Sequence, residues 1–323
     1  MKSKIKALYP PFPWFGGKRR LAAKIWEIIG ETNRYVEPFM GSCAVLLARP
    51  TPITGVELVN DNNHYIVNFY RALQADPEHL AWLANQPCIE ADLHARHLYL
   101  VKKSKWLHDN IYNDPEWYNT RLAAWWVWGV SHWIGRGWCE KGEKWEKKPE
   151  LSINRGIESV ANKKPGIGHD RGVVSVANKK PATSGKKELV GTFLDRYNNL
   201  DNFLRVLSDR LIGVKVMCGD WKRVCTFCST EYVDENCTIF LDPPYNGYEE
   251  LYGGSGKILI SEEVRNFCIE KANTKMKLIL TGYETDHDEL LNHGFKKEAG
   301  FAVCSMSRKD TTKKKIEYIW YKV

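Results

Sequence analysis

Short apolar runs of strand length lie towards both ends of the chain, and between them the apolar positions follow a helical period. Arg34–Glu37 reads as a strand, with a helical run from Leu21 to Ile29 before it and a helix from Ser42 to Ala48 after it. Thr54 to Val59 reads as a second strand, ending near Asp61. From Tyr65 to about Trp138 the period is mostly helical, and Asp76-Pro77 and Asp114-Pro115 predict helix starts. The pattern then stops, and Glu150 to Lys187 is polar and rich in Gly, Lys and Asn. Strand and helix alternate again from Leu211, with strands expected at Val214–Cys218, Thr238–Leu241, Lys277–Thr281 and Ile316–Tyr321. Alternation on both sides of a helical and basic block predicts one α/β domain interrupted by an insertion.

The block contains a duplication. Arg155 to Pro165 recurs as Arg171 to Pro181, sixteen residues on. Two copies are too few for a solenoid, and a repeated hairpin or loop fits better. The net charge of +8 is concentrated here: between Glu140 and Val190, twelve Lys and Arg face seven Asp and Glu. Such a stretch suits a polyanionic partner, although charge runs are often only a solvated face.

A 43% hydrophobic and 27% charged composition fits a globular protein. No apolar run approaches the ~20 residues of a membrane span, so no membrane partner is expected. Lys2, Lys4 and Lys6 are followed by Pro10, Pro11 and Pro13, where a signal peptide needs an apolar stretch. Nine scattered cysteines suit a reducing compartment. The expected location is the cytoplasm. Cys225 and Cys228 lack the further convergent ligands that zinc requires, and no metal is expected.

The most informative residues are Asp242-Pro243-Pro244-Tyr245, at the end of the apolar run Thr238–Leu241. The prolines fix φ and remove backbone donors, which makes a stiff, acceptor-rich ledge at the end of a strand. A carboxylate, a carbonyl and an aromatic ring suit a planar amine: the first two accept its hydrogens and the ring stacks on it. Read alone, the tetrapeptide is also compatible with a proline turn bearing a surface tyrosine.

Four further motifs bear on it. Trp14-Phe15-Gly16-Gly17-Lys18 precedes a helix, with glycines that let the backbone approach a ligand and a lysine suited to an anion. Val36 to Ala44 has the strand, glycine turn and helix of a nucleotide-type βα unit. Asp61 lies twenty residues after Gly41, the spacing of an acid that grips ribose hydroxyls. Gly219-Asp220-Trp221 offers a carboxylate and an indole to an adenine ring. Each motif has an ordinary structural alternative: a turn, a common βα glycine, or an Asp or Asn helix cap.

In order and register the motifs resemble the Dam-type family of DNA adenine-N6 methyltransferases, in the group whose target-recognition segment precedes the Asp-Pro-Pro-Tyr motif. The resemblance covers Pro13 to about Tyr70 and Val214 to Tyr321. It implies a Rossmann-like, mostly parallel mixed sheet that binds S-adenosylmethionine, formed by residues 1–64 and 205–323. An inserted, largely helical DNA-recognition domain, 65–204, would carry the duplicated segment 155–181. It places Trp14, Lys18, Phe39, Gly41, Ser42, Asp61, Asp220, Trp221 and Asp242 at the cofactor, with Asn63 beside Asp61. Asp242, Pro243, Pro244 and Tyr245 would receive a flipped adenine. Cys43 departs from the family's Gly-Ser-Gly. Double-stranded DNA is the expected partner, of a bacterial or phage-encoded enzyme that is a monomer or weak dimer.

DNA contacts are expected from Arg136, Arg155, Arg171, Lys163, Lys164, Lys179 and Lys180. The cluster Trp125, Trp126, Trp128, Trp133 and Trp138 has a spacing that suits a helical core better than a wedge between bases. Related chemistry on cytosine N4, RNA or a glutamine side chain uses a similar ledge, and a DNA-binding protein without catalysis is a rival of another class. Asp at 242 and the Trp-x-Gly-Gly-Lys opening favour adenine in DNA.

Overall fold

The computed structural model describes residues 7–14, 16–50, 55–114, 116–133, 138–139, 193–226, 236–244, 260–303 and 315–323. By contact density the chain divides into two units. The first comprises Met1–Pro10, Gly16–Asn62 and Gly213–Val323; the second comprises Pro11–Phe15 and Asn63–Ile212.

The first unit is built on a seven-stranded sheet. Its strands are β1 (Arg34–Glu37), β2 (Val56–Asp61), β3 (Lys215–Cys218), β4 (Cys237–Leu241), β5 (Lys277–Tyr283), β6 (Lys296–Val303) and β7 (Lys315–Lys322). The order is β3-β2-β1-β4-β5-β7-β6. β3, β2, β1, β4 and β5 run parallel, while β7 is antiparallel to both β5 and β6. A mixed, mostly parallel α/β sheet was expected, but β6 was not. Lys296, Lys297, Glu298 and Gly300 interrupt its apolar pattern, as suits a sheet edge that must resist pairing with another chain.

Side-chain parity divides the sheet into two faces. Val36, Leu58, Ile239, Leu241, Leu278, Leu280 and Trp320 form one core with Trp221, Val224, Val264 and Cys268. The last four come from helices α8 (Trp221–Cys225) and α9 (Ile260–Lys271), in chain order. The alternate positions, Tyr35, Phe240, Ile279 and Ile319, are fully buried on the opposite face. Before β1, α1 (Ala22–Ile29) buries Ile25, Trp26 and Ile29, and after it α2 (Ala44–Leu47) buries all four of its residues. Trp26 donates its indole N–H to the Val45 carbonyl at 2.7 Å, and its ring lies 5.0 Å from that of Tyr35. Cys237 is disulfide-bonded, which the reading of the scattered cysteines as suited to a reducing compartment did not anticipate.

The second unit is helical among the described residues: α3 (His64–Ala75), α4 (Pro77–Ala84), α5 (Glu90–Asn113), α6 (Thr120–His132) and α7 (Phe193–Leu211). Phe12, Phe69, Tyr70 and Trp126 pack ring on ring at its centre, with Phe12 to Trp126 at 5.0 Å. Trp126 and Trp128 are buried, as a core reading requires, whereas Trp125 lies under the guanidinium groups of Arg96 and Arg121. Asp76-Pro77 begins a helix as expected. Asp114-Pro115 does not: Asp114 caps the end of α5, and its carboxylate accepts the Glu116 amide in a turn. Asn119 instead starts α6, by accepting the Leu122 amide. No described helix is long and apolar enough to cross a membrane.

Candidate active site

Successive strands run from β1 towards one edge of the sheet (β2, β3), and β4 and β5 lie on the other side of β1. The β1/β4 boundary is therefore a topological switch point, and the crevice outside the carboxyl ends of such strands is where open α/β sheets bind ligands. The motifs Glu37–Cys43, Asp61, Gly219–Trp221 and Asp242–Pro244 follow β1, β2, β3 and β4, all at that edge. One observation ties three of them together. The buried Asn60 side chain donates to the carbonyls of Pro38 and Gly219, both at 3.0 Å, while the Asn60 backbone carbonyl accepts the Met40 amide. Asn60→Ala would leave two carbonyls without that donor and is expected to cost about 1–3 kcal/mol, read as a lower melting temperature. Melting within error of wild type would show that the staple contributes nothing.

The glycine turn has the backbone that close approach requires. Gly41 has φ 45° and Cys43 φ 54°, both left-handed. Cys43 is also fully buried. The family's glycine at this position therefore has a conformational reason, and cysteine occupies it at a steric cost. The Gly41 amide donates to Asp61 Oδ2 at 3.0 Å, so Asp61 is joined to the turn as well as placed at the end of β2. Phe39 lies 5.9 Å from Trp221, ring to ring. The Asp220 carboxylate caps α8 by accepting the Lys222 amide at 2.8 Å, and Asn63 caps α3. Both caps are the ordinary structural role open to those residues.

Asp242 is the centre of a charged cluster that parity explains. The register Leu241↔Leu280 puts Asp242 beside Thr281, and Thr281↔Ile319 puts Glu317 on the same face. Thr281 Oγ1 donates to Asp242 Oδ1 at 2.8 Å. Lys18 Nζ lies 2.7 Å from Asp242 Oδ2 and 3.1 Å from Glu317 Oε1, and it also donates to the Gly16 carbonyl. Lys18 is 4% exposed. Burial would lower its pKa, but Asp242 and Glu317 hold it above the ordinary lysine value. Asp242 is held above the ordinary carboxylate range, by burial first and then by the like charge of Glu317, against the pull of Lys18 and Thr281.

Glu37 shares this face. Burial, with smaller contributions from Asp242 and Glu57, pushes its carboxyl up to about 8, although the Tyr35 hydroxyl donates to it at 3.0 Å. One lysine amine thus stands between the carboxyl groups of Asp242 and Glu317, with the Glu37 carboxyl on the same face. A site with more carboxyl groups than amines suits a cationic ligand group.

The structure brings together Lys18 with Asp242, Gly41 with Asp61, and Phe39 with Trp221. Ser42, Pro243 and Pro244 are buried nearby in sequence. Trp14 belongs to the second unit, where its ring lies 5.9 Å from Phe12 and 6.2 Å from Trp126. Tyr245, Arg136, Arg155, Lys163, Lys164, Arg171, Lys179 and Lys180 lie outside the described residues. Thr281 and Glu317 were not singled out from sequence, and Asn60 was read only as part of the polar segment Asn60–Asn63. Their signals are polar residues embedded in or ending apolar strands, which become legible only once the register is known.

An α/β unit of this kind, with a mostly parallel seven-stranded sheet, is consistent with a methyltransferase fold. The comparisons with known proteins agree. Residues 14–130 match the family model of D12 class N6 adenine-specific DNA methyltransferase, consistent with the Dam-type family that the motifs resemble. The chain is 30% identical over 105 residues to the DNA N-6-adenine-methyltransferase of Escherichia phage P1, covering 32% of this chain and 13% of the relative. It is 37% identical over 65 residues to the Retron Ec67 DNA adenine methylase of Escherichia coli, covering 20% of this chain and 22% of the relative. The matches thus span less than a quarter of either relative.

Proposed function

We propose that this chain is a site-specific DNA methyltransferase that transfers a methyl group from S-adenosylmethionine to N6 of an adenine flipped out of double-stranded DNA. The observation that carries the reading is the Asp242-Pro243-Pro244 ledge at the carboxyl end of β4, next to the glycine turn of β1 at the switch point.

S-adenosylmethionine, when bound, supplies an electrophilic methyl group on a sulfonium centre. The residues present fit it: a left-handed glycine turn without a Cβ at Gly41, the Asp61 carboxylate for ribose, the Phe39–Trp221 pair and Asp220 for the purine, and the acidic side chains Asp242 and Glu317 for the cation. Trp14, Lys18 and Ser42 are assigned to the donor through the family resemblance, although the Lys18 amine is already engaged by Asp242 and Glu317.

The adenine leaves the stack at a cost of a few kcal/mol. The Asp242 carboxylate and the Pro243 carbonyl accept its amino hydrogens, which draws the N6 lone pair out of conjugation. Tyr245 stacks on the ring and Pro244 stiffens the ledge. Held this way, the N6 lone pair would be directed at the methyl group the donor supplies, the sulfur–carbon bond breaking as the nitrogen–carbon bond forms, the thioether leaving and the amino proton passing to solvent afterwards. Rate comes chiefly from positioning.

Residues 1–64 and 205–323 are assigned to cofactor binding and catalysis, and 65–204 to target recognition, with Arg136, Arg155, Lys163, Lys164, Arg171, Lys179 and Lys180 on DNA. Methylation-sensitive sequencing of DNA from cells expressing the protein tests the whole reading. N6-methyladenine in a defined sequence motif, absent from the Asp242→Ala strain, is expected. The same marks in that strain would refute the catalytic assignment.

A further inference from the structure

We propose that Thr281 and Glu317 are positioning residues for the Asp242 carboxylate, Thr281 by gripping one oxygen and Glu317 by holding the lysine that grips the other. The inference rests on the proposed methyl transfer and deepens it.

A carboxylate at the end of a strand can swivel about its last torsion, and an acceptor that swivels presents no fixed direction to an amino group. Here the two oxygens have different, directional partners. Thr281 Oγ1 reaches Oδ1 at 2.8 Å from the neighbouring strand, and Lys18 Nζ reaches Oδ2 at 2.7 Å. A lysine stem is itself loose, with four rotatable bonds. Its ammonium has three protons to give, and the Gly16 carbonyl, Asp242 and Glu317 offer three acceptors around it.

Glu317 does more than restrain. Alone with Asp242, Lys18 would neutralise it one to one and weaken it as an acceptor. Shared between two carboxyl groups, it fixes Asp242 without being committed to it alone. Each carboxylate oxygen has two lone-pair directions, and Thr281 and Lys18 each take one, on different oxygens. Neither residue is required to touch the base or the donor. Among the described residues, the charged and titratable groups that act on Asp242 include Lys18 from the turn after Gly17, Glu317 from β7 and Glu37 from β1.

The test uses the full chain and four readouts: single-turnover methyl transfer to duplex DNA, donor affinity by equilibrium dialysis with labelled S-adenosylmethionine, melting temperature, and the Asp242 titration by carboxyl carbon-13 NMR. Thr281→Val keeps the shape and removes the hydroxyl. It is expected to slow transfer by about 10- to 100-fold, with donor affinity within about threefold of wild type, and to raise the Asp242 pKa. Thr281→Ser restores the donor and is expected to recover most of the rate. Glu317→Gln keeps an acceptor for Lys18 but removes the like charge, so the Asp242 titration and the acid limb of the rate profile both move to lower pH.

Wild-type rate in Thr281→Val, or an Asp242 titration that neither Thr281→Val nor Glu317→Gln moves, would overturn the proposal. So would loss of donor binding in parallel with rate, which marks a merely structural role. If Thr281→Val does not fold, Thr281→Ser and Glu317→Gln still decide it. If wild type methylates no DNA, the functional reading fails, while the NMR titration still tests the clamp.

Discussion

Asp242→Asn is expected to cut the single-turnover rate of methyl transfer by about 100- to 1,000-fold, the range seen when one preorganised polar contact to a transition state is removed. The substitution preserves shape but leaves one acceptor oxygen where there were two. That oxygen is drawn to the Lys18 ammonium, 2.7 Å from the present Oδ2, which turns the amide NH2 towards Thr281. A donor then faces the incoming amine where an acceptor is needed. Lys18 keeps Glu317 and Gly16 as partners. The stability cost should therefore be about 1–3 kcal/mol, below the 3–5 kcal/mol of a stranded buried charge. Rate and melting temperature measured on the same preparation separate the two effects. A variant with full rate would remove Asp242 from the chemistry.

The second large effect concerns pH, and it has two limbs of opposite sign. Glu37 titrates at about 8 in the folded protein against an ordinary 4.5. Folded chains then hold a proton that unfolded chains release, so its contribution is complete below pH 4.5 and falls as pH rises towards 8. The loss is about 3 kcal/mol at pH 7. His287 does the reverse. Burial first, then the positive charge of Arg265, pulls it down to about 4 from 6.5. Its contribution is complete above pH 6.5 and falls as pH drops towards 4, by at most about 3 kcal/mol. Comparing variant with wild type at each pH cancels the other groups. The melting temperature of Glu37→Gln should gain on wild type steadily from pH 5 to 8, and that of His287→Leu should gain from pH 7 to 4. Differences that stay flat with pH would contradict both assignments.

Much of this was legible in the sequence, for identifiable reasons. The runs Arg34–Glu37, Val214–Cys218 and Thr238–Leu241 are short, with apolar centres and turn residues beside them, and each ends at a motif that lands on the carboxyl edge. The doubly proline-stiffened Asp242 step needed no tertiary information. Thr281 and Glu317 were different: their meaning depends on which strands neighbour β4, and β7 joins from some seventy residues away by an antiparallel pairing that no local pattern encodes. Edge strand β6 escaped because the charges that protect an edge erase the strand pattern. Asp114-Pro115 misled because the same dipeptide ends one helix as readily as it begins another, and only the Asn119 cap tells which.

The most direct measurement is chemical. Purified protein is incubated with labelled methyl donor and unmodified genomic duplex, the DNA is digested to nucleosides, and the labelled product is identified. The account predicts label in N6-methyldeoxyadenosine, lost with Asp242→Asn. Label in N4-methyldeoxycytidine, or none in the DNA at all, would contradict it.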